Sequence, residues 1–264
     1  MAARPPAPRS ARSAIPLPRP RPPLPGIAPA VPGPSNNSPP SNEAAKINVA
    51  RPAVPAGALV YAPLLVERQR ALWPSAPQPW TLGGLVEQES CISLKHARCW
   101  NPRAELKTAR EYGFGFGQIT VAYNADGSER FNKFEELKRQ HAALSAWRWA
   151  DRYDPVYQLT AVVEMTHGLW RRVPPAAGDD DRWAFTLSSY NGGLGGLLQD
   201  RRACANSAAC DPLRWFGHVE THSMKSRAPQ PGYGGRSWFD INRGHVRAVL
   251  TQRRAKYRPF WEAT

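Results

Sequence analysis

The chain has 264 residues, with 35 Lys and Arg against 21 Asp and Glu, a formal charge of +14, and 28 prolines. Its 20 glycines follow no triplet period, and ten Trp, eight Tyr and eight Phe demand a core, so collagen-like and wholly disordered chains are excluded. No window approaches the roughly 18 apolar residues of a spanning helix, which excludes a polytopic membrane protein.

Sixteen of the 28 prolines lie in residues 1–55, together with seven basic residues and a single acid, Glu43. Proline fixes φ and removes a backbone donor, and large apolar residues are scarce there. Residues 1–55 therefore read as a disordered basic Pro-rich tail, and residues 56–264 as one globular domain. Runs such as Pro18-Arg19-Pro20-Arg21-Pro22-Pro23 favour extended polyproline II. A spacer is the plain role; a contact arm for an anionic polymer or an SH3-like partner is the sharper one. Residues 1–25 offer only Ala14-Ile15-Pro16-Leu17-Pro18 as an apolar stretch, so no export signal is recognised.

In chain order, Ala62 to Leu72 and Pro79 to Cys91 read as helices, and residues 92–112 as irregular. Asn132 to Trp149 is helical in pattern. Asp154-Pro155 starts a helix that runs to Trp170, with Asp as cap and Pro at the first helical position. Further helices are expected over Trp183 to Arg201 and Ile241 to Tyr257, with a long loop at 223–237. No alternating strand series stands out, so the domain is expected to be mainly α.

Cys91 and Cys99 are eight apart, and Cys204 and Cys210 six apart. Each pair could close a small loop by a disulfide, which implies an oxidising compartment. Buried free thiols and a metal site are the alternatives, the latter disfavoured because neither gap has the length of a zinc knuckle.

The second helix carries the most informative residue. Leu82, Leu85 and Val86 form one apolar stripe, and the next position on it is Glu89. A carboxyl there is costly to ionise, its pKa rises, and a carboxyl that stays protonated near neutral pH is a general acid. A salt bridge to one of the many arginines is the structural alternative. Glu87 falls off the stripe and is expected to face water. After Gln88-Glu89-Ser90 come Gly115-Phe116-Gly117-Gln118-Ile119-Thr120 and then Ser188-Ser189-Tyr190-Asn191-Gly192-Gly193. Polar Tyr and Asn followed by paired Gly are poor helix filler and require a reason.

These three elements, in this order, resemble those of the lytic transglycosylase family of the lysozyme-like superfamily. Asn101-Pro102, Tyr153-Asp154-Pro155 and the segment Ile241 to Leu250 are weaker matches, and His245 stands where a Tyr is expected. The resemblance covers about residues 78–255. It implies a lysozyme-like, α-rich domain with a substrate groove. It also implies cleavage of the β-1,4 bond between N-acetylmuramic acid and N-acetylglucosamine in peptidoglycan. Glu89 would be the general acid and later the base. Ser90 would orient Glu89 or touch substrate, Tyr190 would pack beside Glu89 and donate to it, and Gln118 and Asn191 would hydrogen-bond the sugar. Gly115 and Phe116 would also bind substrate, and Phe116 and Gly117, in place of the family's common Leu and Met, would give the groove wall a different shape. Attack by the muramic 6-hydroxyl leaves a 1,6-anhydro end and needs no second carboxylate. A hydrolytic lysozyme would need one; no acid lies between Glu89 and Glu105, and Glu105, Glu111 and Asp126 are the nearest candidates. A wall-binding or virion structural protein without activity is the rival outside enzymes.

The implied partner is peptidoglycan, met in the periplasm or cell wall after secretion or phage delivery. The membrane is touched peripherally at most, the chain is expected to be a monomer, and neither cofactor nor metal is expected. A nucleic-acid module fits the charge but lacks a recognition signature. His218-Val219-Glu220-Thr221-His222 does not match the zinc-protease spacing, and no serine elbow surrounds Ser188 and Ser189. Trp100 and Trp215 are the better candidates for a sugar platform, while most Trp residues are expected in the core.

Overall fold

The computed structural model describes residues 53–231 and 233–263. The expected Pro-rich tail therefore lies, up to residue 52, outside the described residues. The rest is mainly α. In chain order come α1 (Ala56–Leu72), α2 (Thr81–Ser90), a sheet of β1 (Glu105–Lys107), β2 (Glu111–Phe114), β3 (Ile119–Tyr123) and β4 (Glu129–Asn132), then α3 (Lys133–Gln140), α4 (Pro155–Arg172), α5 (Asp179–Gly192), α6 (Leu194–Ala205), α7 (Trp238–Arg247) and α8 (Arg258–Glu262). Between α7 and α8 the chain continues as wider and tighter helical turns, Ala248–Arg253 and Arg254–Tyr257. No helix among the described residues is long and apolar enough to cross a membrane.

The sheet corrects the expectation of irregular chain after Cys91. It is an antiparallel meander in the order β1-β2-β3-β4, with Glu105 opposite Phe114, Tyr112 opposite Val121 and Val121 opposite Asn132. Its strands are three to five residues long, too short to show an alternating pattern. Phe114 and Ile119 fill a second, smaller core with Phe134, Leu137, Leu144, Trp147 and Ala161.

Helix boundaries follow local chemistry. Asp154 caps α4, its side chain accepting from Val156 N at 2.7 Å with Pro155 next in the first turn. The helix expected over 132–149 stops at Gln140 and gives way to 3₁₀ turns at Ala142–Leu144 and Trp149–Asp151. The segment expected as a single helix from Trp183 to Arg201 is two helices, α5 and α6. Gly193 joins them at φ +77°, a left-handed conformation that favours glycine. Ser237 and Asp240 form a reciprocal capping box at the start of α7.

The main core gathers α1, α2, α4, α5 and the segment after α7 around Leu65, Leu82, Leu85, Phe116, Val162, Trp183, Leu187, Val246 and Tyr257. Trp100 and Trp215 belong to it and are about 1 % and 0 % exposed. That overturns the platform expectation, because a buried indole cannot stack on a sugar. Both cysteine pairs are disulfides, Cys91–Cys99 and Cys204–Cys210, and no free cysteine remains.

Candidate active site

Helix α2 is enclosed on every side along Thr81–Glu87. Leu82, Leu85 and Val86 face the core, while Gly83 and Gly84 let the C-terminal segment come close. A Cβ on Gly83 would stand 2.6 Å from the Tyr257 ring, and one on Gly84 3.0 Å from the Arg254 backbone. Glu87 consequently has no water to face. It is 0 % exposed, and its carboxylate takes Arg253 Nη1 at 2.7 Å, Lys256 Nζ at 2.7 Å and the donated hydroxyl of Tyr257. The expectation that Glu87 points outward is wrong because the glycines leave room for a second packed surface.

Glu89 is the penultimate residue of α2, with 16 % of its side chain exposed. Burial pushes its pKa from its ordinary value near 4.5 to about 8. Its Oε1 stands 3.3 Å from Nδ1 of His245, which reaches it from α7. His245 is 3 % exposed, its Nε2 is buried with no hydrogen-bond partner, and burial pushes its pKa down to about 3. Its ring stacks on Tyr190 of α5, centroids 6.4 Å apart. Tyr190 is itself held above the usual phenol range by burial and by the charge of Glu89.

The Gly115–Gln118 stretch is the turn between β2 and β3, with Phe114 opposite Ile119. Gly115 sits at φ +74°, and a Cβ there would fall 2.3 Å from the side-chain amide of Gln158. Gln158, fully buried in α4, accepts from Phe116 N at 3.0 Å and donates to Pro102 O and Arg152 O. Gly117 O accepts the Tyr190 hydroxyl at 2.9 Å. A continuous path therefore runs from the turn through Tyr190 and His245 to Glu89. It joins all three segments singled out by sequence and adds α7.

The other site candidates take definite places. The Ser90 hydroxyl donates to Val86 O at 2.7 Å and accepts from Trp100 N at 3.0 Å, tying the chain just beyond the Cys91–Cys99 loop to the helix end. Phe116 is wholly buried, 5.0 Å from the Tyr61 ring. Gln118, at φ +44°, donates to Gly115 O at 3.1 Å and Ala104 O at 3.4 Å. Tyr190 donates its hydroxyl to Gly117 O and not, as expected, to Glu89, whose charge still acts on the phenol. Asn191 is exposed, and its Oδ1 accepts from Asn242 Nδ2 at 3.1 Å. Asn242 also donates to Ser188 O and accepts from the Ser188 hydroxyl. A Cβ at Gly192 would stand 2.8 Å from Asn242 Nδ2, which explains the glycine after Asn191.

Glu105, Glu111 and Asp126 are each engaged on the sheet. Glu105 accepts from Tyr112 and Tyr153, Glu111 lies 3.5 Å from Arg130, and Asp126 accepts from Ser128. Cys204, Cys210 and His222 form a cluster of metal-ligand type, but both sulfurs are spent in the disulfide and are not thiolates. Asn242, His245, Glu87 and Gln158 were not among the sequence candidates. The rule that found Glu89 reaches two of them, since Asn242 and His245 are polar residues on the buried side of α7.

Over about a third of its length the chain is similar to proteins named membrane-bound lytic murein transglycosylase F. The chain is 38 % identical over 75 residues to the membrane-bound lytic murein transglycosylase F of Pasteurella multocida, covering 28 % of this chain and 15 % of that protein. It is 36 % identical over 93 residues to the Marinobacter nauticus protein of the same name, covering 35 % and 17 %, and 32 % identical over 81 residues to that of Vibrio cholerae, covering 31 % and 14 %. The matched stretch thus spans less than a fifth of the length of these curated relatives. No family model matches the chain.

Proposed function

We propose that the protein is a lytic transglycosylase acting on peptidoglycan, with Glu89 as its single acid and base. The observation that carries this reading is the state of Glu89. A carboxyl with a pKa near 8 at the solvent-reached end of a buried helix holds its proton at neutral pH and can give it up.

Glu89 protonates the glycosidic oxygen between N-acetylmuramic acid and N-acetylglucosamine as the bond to the anomeric carbon breaks. The muramic 6-hydroxyl attacks that carbon, and the Glu89 carboxylate takes its proton. The products are a free N-acetylglucosamine hydroxyl and a 1,6-anhydro-muramic end, and Glu89 returns to its starting form. The names of the sequence relatives support the substrate class. The engagement of Glu105, Glu111 and Asp126 elsewhere favours one carboxyl over the pair that hydrolysis ordinarily uses. Gln118 and Asn191 would meet the sugar N-acetyl or hydroxyl groups.

The test is digestion of purified peptidoglycan followed by mass spectrometry of the muropeptides. Anhydro-muramic ends are expected. Reducing ends one water heavier would make the protein a hydrolase, and no release at any pH, with the protein still sedimenting on walls, would end the enzyme reading.

A further inference from the structure

His245 presents an unusual pairing. One ring nitrogen stands 3.3 Å from the carboxyl proposed to do the chemistry, and the other is buried with nothing to bond. Glu89 from α2 and Tyr190 from α5 stand against it, and the charge of Arg253, from the segment after α7, acts on it. Arg253 is itself tied to Glu87 at 2.7 Å and Gln88 at 2.9 Å. The imidazole is therefore buried, with the Glu89 carboxyl in reach of one nitrogen and the charge of Arg253 opposing a charge on the ring.

The position of the proton follows from these contacts. If Nε2 carried it, a buried N–H would have no acceptor, and orphaned N–H groups are among the rarest features of protein interiors. If Nδ1 carries it, the proton finds Oε1 of Glu89, and Nε2 is left as a bare lone pair. The 3.3 Å separation is long for a formed hydrogen bond, and such contacts commonly tighten when substrate is bound.

We infer that His245 is a positioning residue for Glu89: as the neutral Nδ1–H tautomer it donates to Oε1 and so reserves Oε2 for the proton passed to the glycosidic oxygen. A carboxylic acid has two oxygens and one proton, and without a donor on Oε1 the proton is divided between them. The same N–H then supports the carboxylate in the interval before it recovers a proton. The imidazole does not itself titrate in this scheme, since burial and Arg253 keep it neutral. This role rests on the proposed part played by Glu89.

Two measurements test it. Long-range ¹H–¹⁵N correlation of the histidine rings in the full chain reads the tautomer directly, with the His245 signals assigned by their loss in His245→Asn. A protonated Nδ1, a bare Nε2 and no titration between about pH 5 and 8 are expected; a protonated Nε2, or a titration in that window, overturns the inference. In peptidoglycan cleavage, His245→Phe keeps a ring in the slot but no donor. Its kcat should fall roughly 10- to 100-fold with KM little changed, and its alkaline limb should move to higher pH because the carboxylate has lost a donor. His245→Asn, whose amide can donate in the place of Nδ1, should recover most of the loss. Wild-type kcat and pH limb in His245→Phe, or equal impairment in the Phe and Asn variants, overturns the inference. If Glu89→Gln stays active while the ring shows the expected tautomer, the assignment of Glu89 fails and the contact stands.

Discussion

Glu87 and Tyr257 meet inside the protein although 170 residues separate them in the chain, the phenol donating its hydrogen to a carboxylate with no exposed surface. Arg253 and Lys256 complete the site at 2.7 Å each. The hydroxyl of Tyr257 also accepts from the Trp100 indole at 2.9 Å, so the network continues toward the chain that follows the Cys91–Cys99 loop. This cluster fastens the C-terminal segment against α2 two residues before Glu89.

Breaking it from one side should be expensive, because two cations would remain near an uncharged partner. Glu87→Gln should lower the free energy of unfolding by about 3 kcal/mol. Denaturant unfolding measures this; a loss below about 1 kcal/mol would show that the cluster contributes little. Tyr257→Phe, which removes one hydrogen bond and no charge, should cost about 1–2 kcal/mol.

Glu89 should behave in the opposite sense. Its pKa rises from near 4.5 to about 8 on folding, so between those values the unfolded chain has released a proton that the folded chain retains. Stability from this group is full below pH 4.5 and is lost as pH rises toward 8. Glu89→Gln removes that dependence. It should stabilise the protein by about 2 kcal/mol at pH 7 while lowering cleavage at least ~100-fold. The stability gain should shrink toward zero near pH 4.5, as read from melting temperatures across pH. A variant that is active, or whose advantage grows on acidification, contradicts the assignment.

What could be read from sequence divides along physical lines. Glu89 and the Tyr190-Asn191-Gly192-Gly193 run break a local rule, Asp154-Pro155 follows one, and either kind of signal is visible without coordinates, although the helix break at Gly193 itself is not. Periodicity alone leaves Glu87 facing water because it assumes one buried face, whereas Gly83 and Gly84 give no apolar signal while admitting a second one. The sheet leaves no mark in the sequence because its strands are too short for a period to register. His245 registered only as a departure from the expected Tyr. Its importance lies in a contact across 156 positions of chain, which no local pattern contains.

The turn glycines allow a controlled comparison. Gly115 and Gly127 both have left-handed backbones, at φ +74° and +79°, but only at Gly115 would a Cβ strike another group, the Gln158 amide at 2.3 Å. Gly127→Ala should therefore cost about 1 kcal/mol, the conformational strain alone. Gly115→Ala should cost about 3 kcal/mol or more and should reduce cleavage, because Gln158 must yield its bonds to Phe116, Pro102 and Arg152. Equal losses in the two variants would mean that the turn can shift without disturbing α4.

The disulfides bear on the rim of the site more than on its centre. Both close short loops, with sequence separations of 8 and 6, so chain entropy assigns each about 2–3 kcal/mol. Cys91–Cys99 begins at the residue after Ser90, whose hydroxyl takes the Trp100 amide just beyond the loop. Opening that bridge should loosen the end of α2 and with it the placement of Glu89. Cys204–Cys210 lies at the end of α6, on an element that carries none of the proposed site residues. Thiol counting under denaturation should find no free cysteine. The paired change Cys91→Ser with Cys99→Ser should lower both melting temperature and cleavage rate, whereas Cys204→Ser with Cys210→Ser should lower melting temperature alone. Equal activity loss in the two pairs would show that cleavage follows global stability and not the anchoring of the catalytic helix.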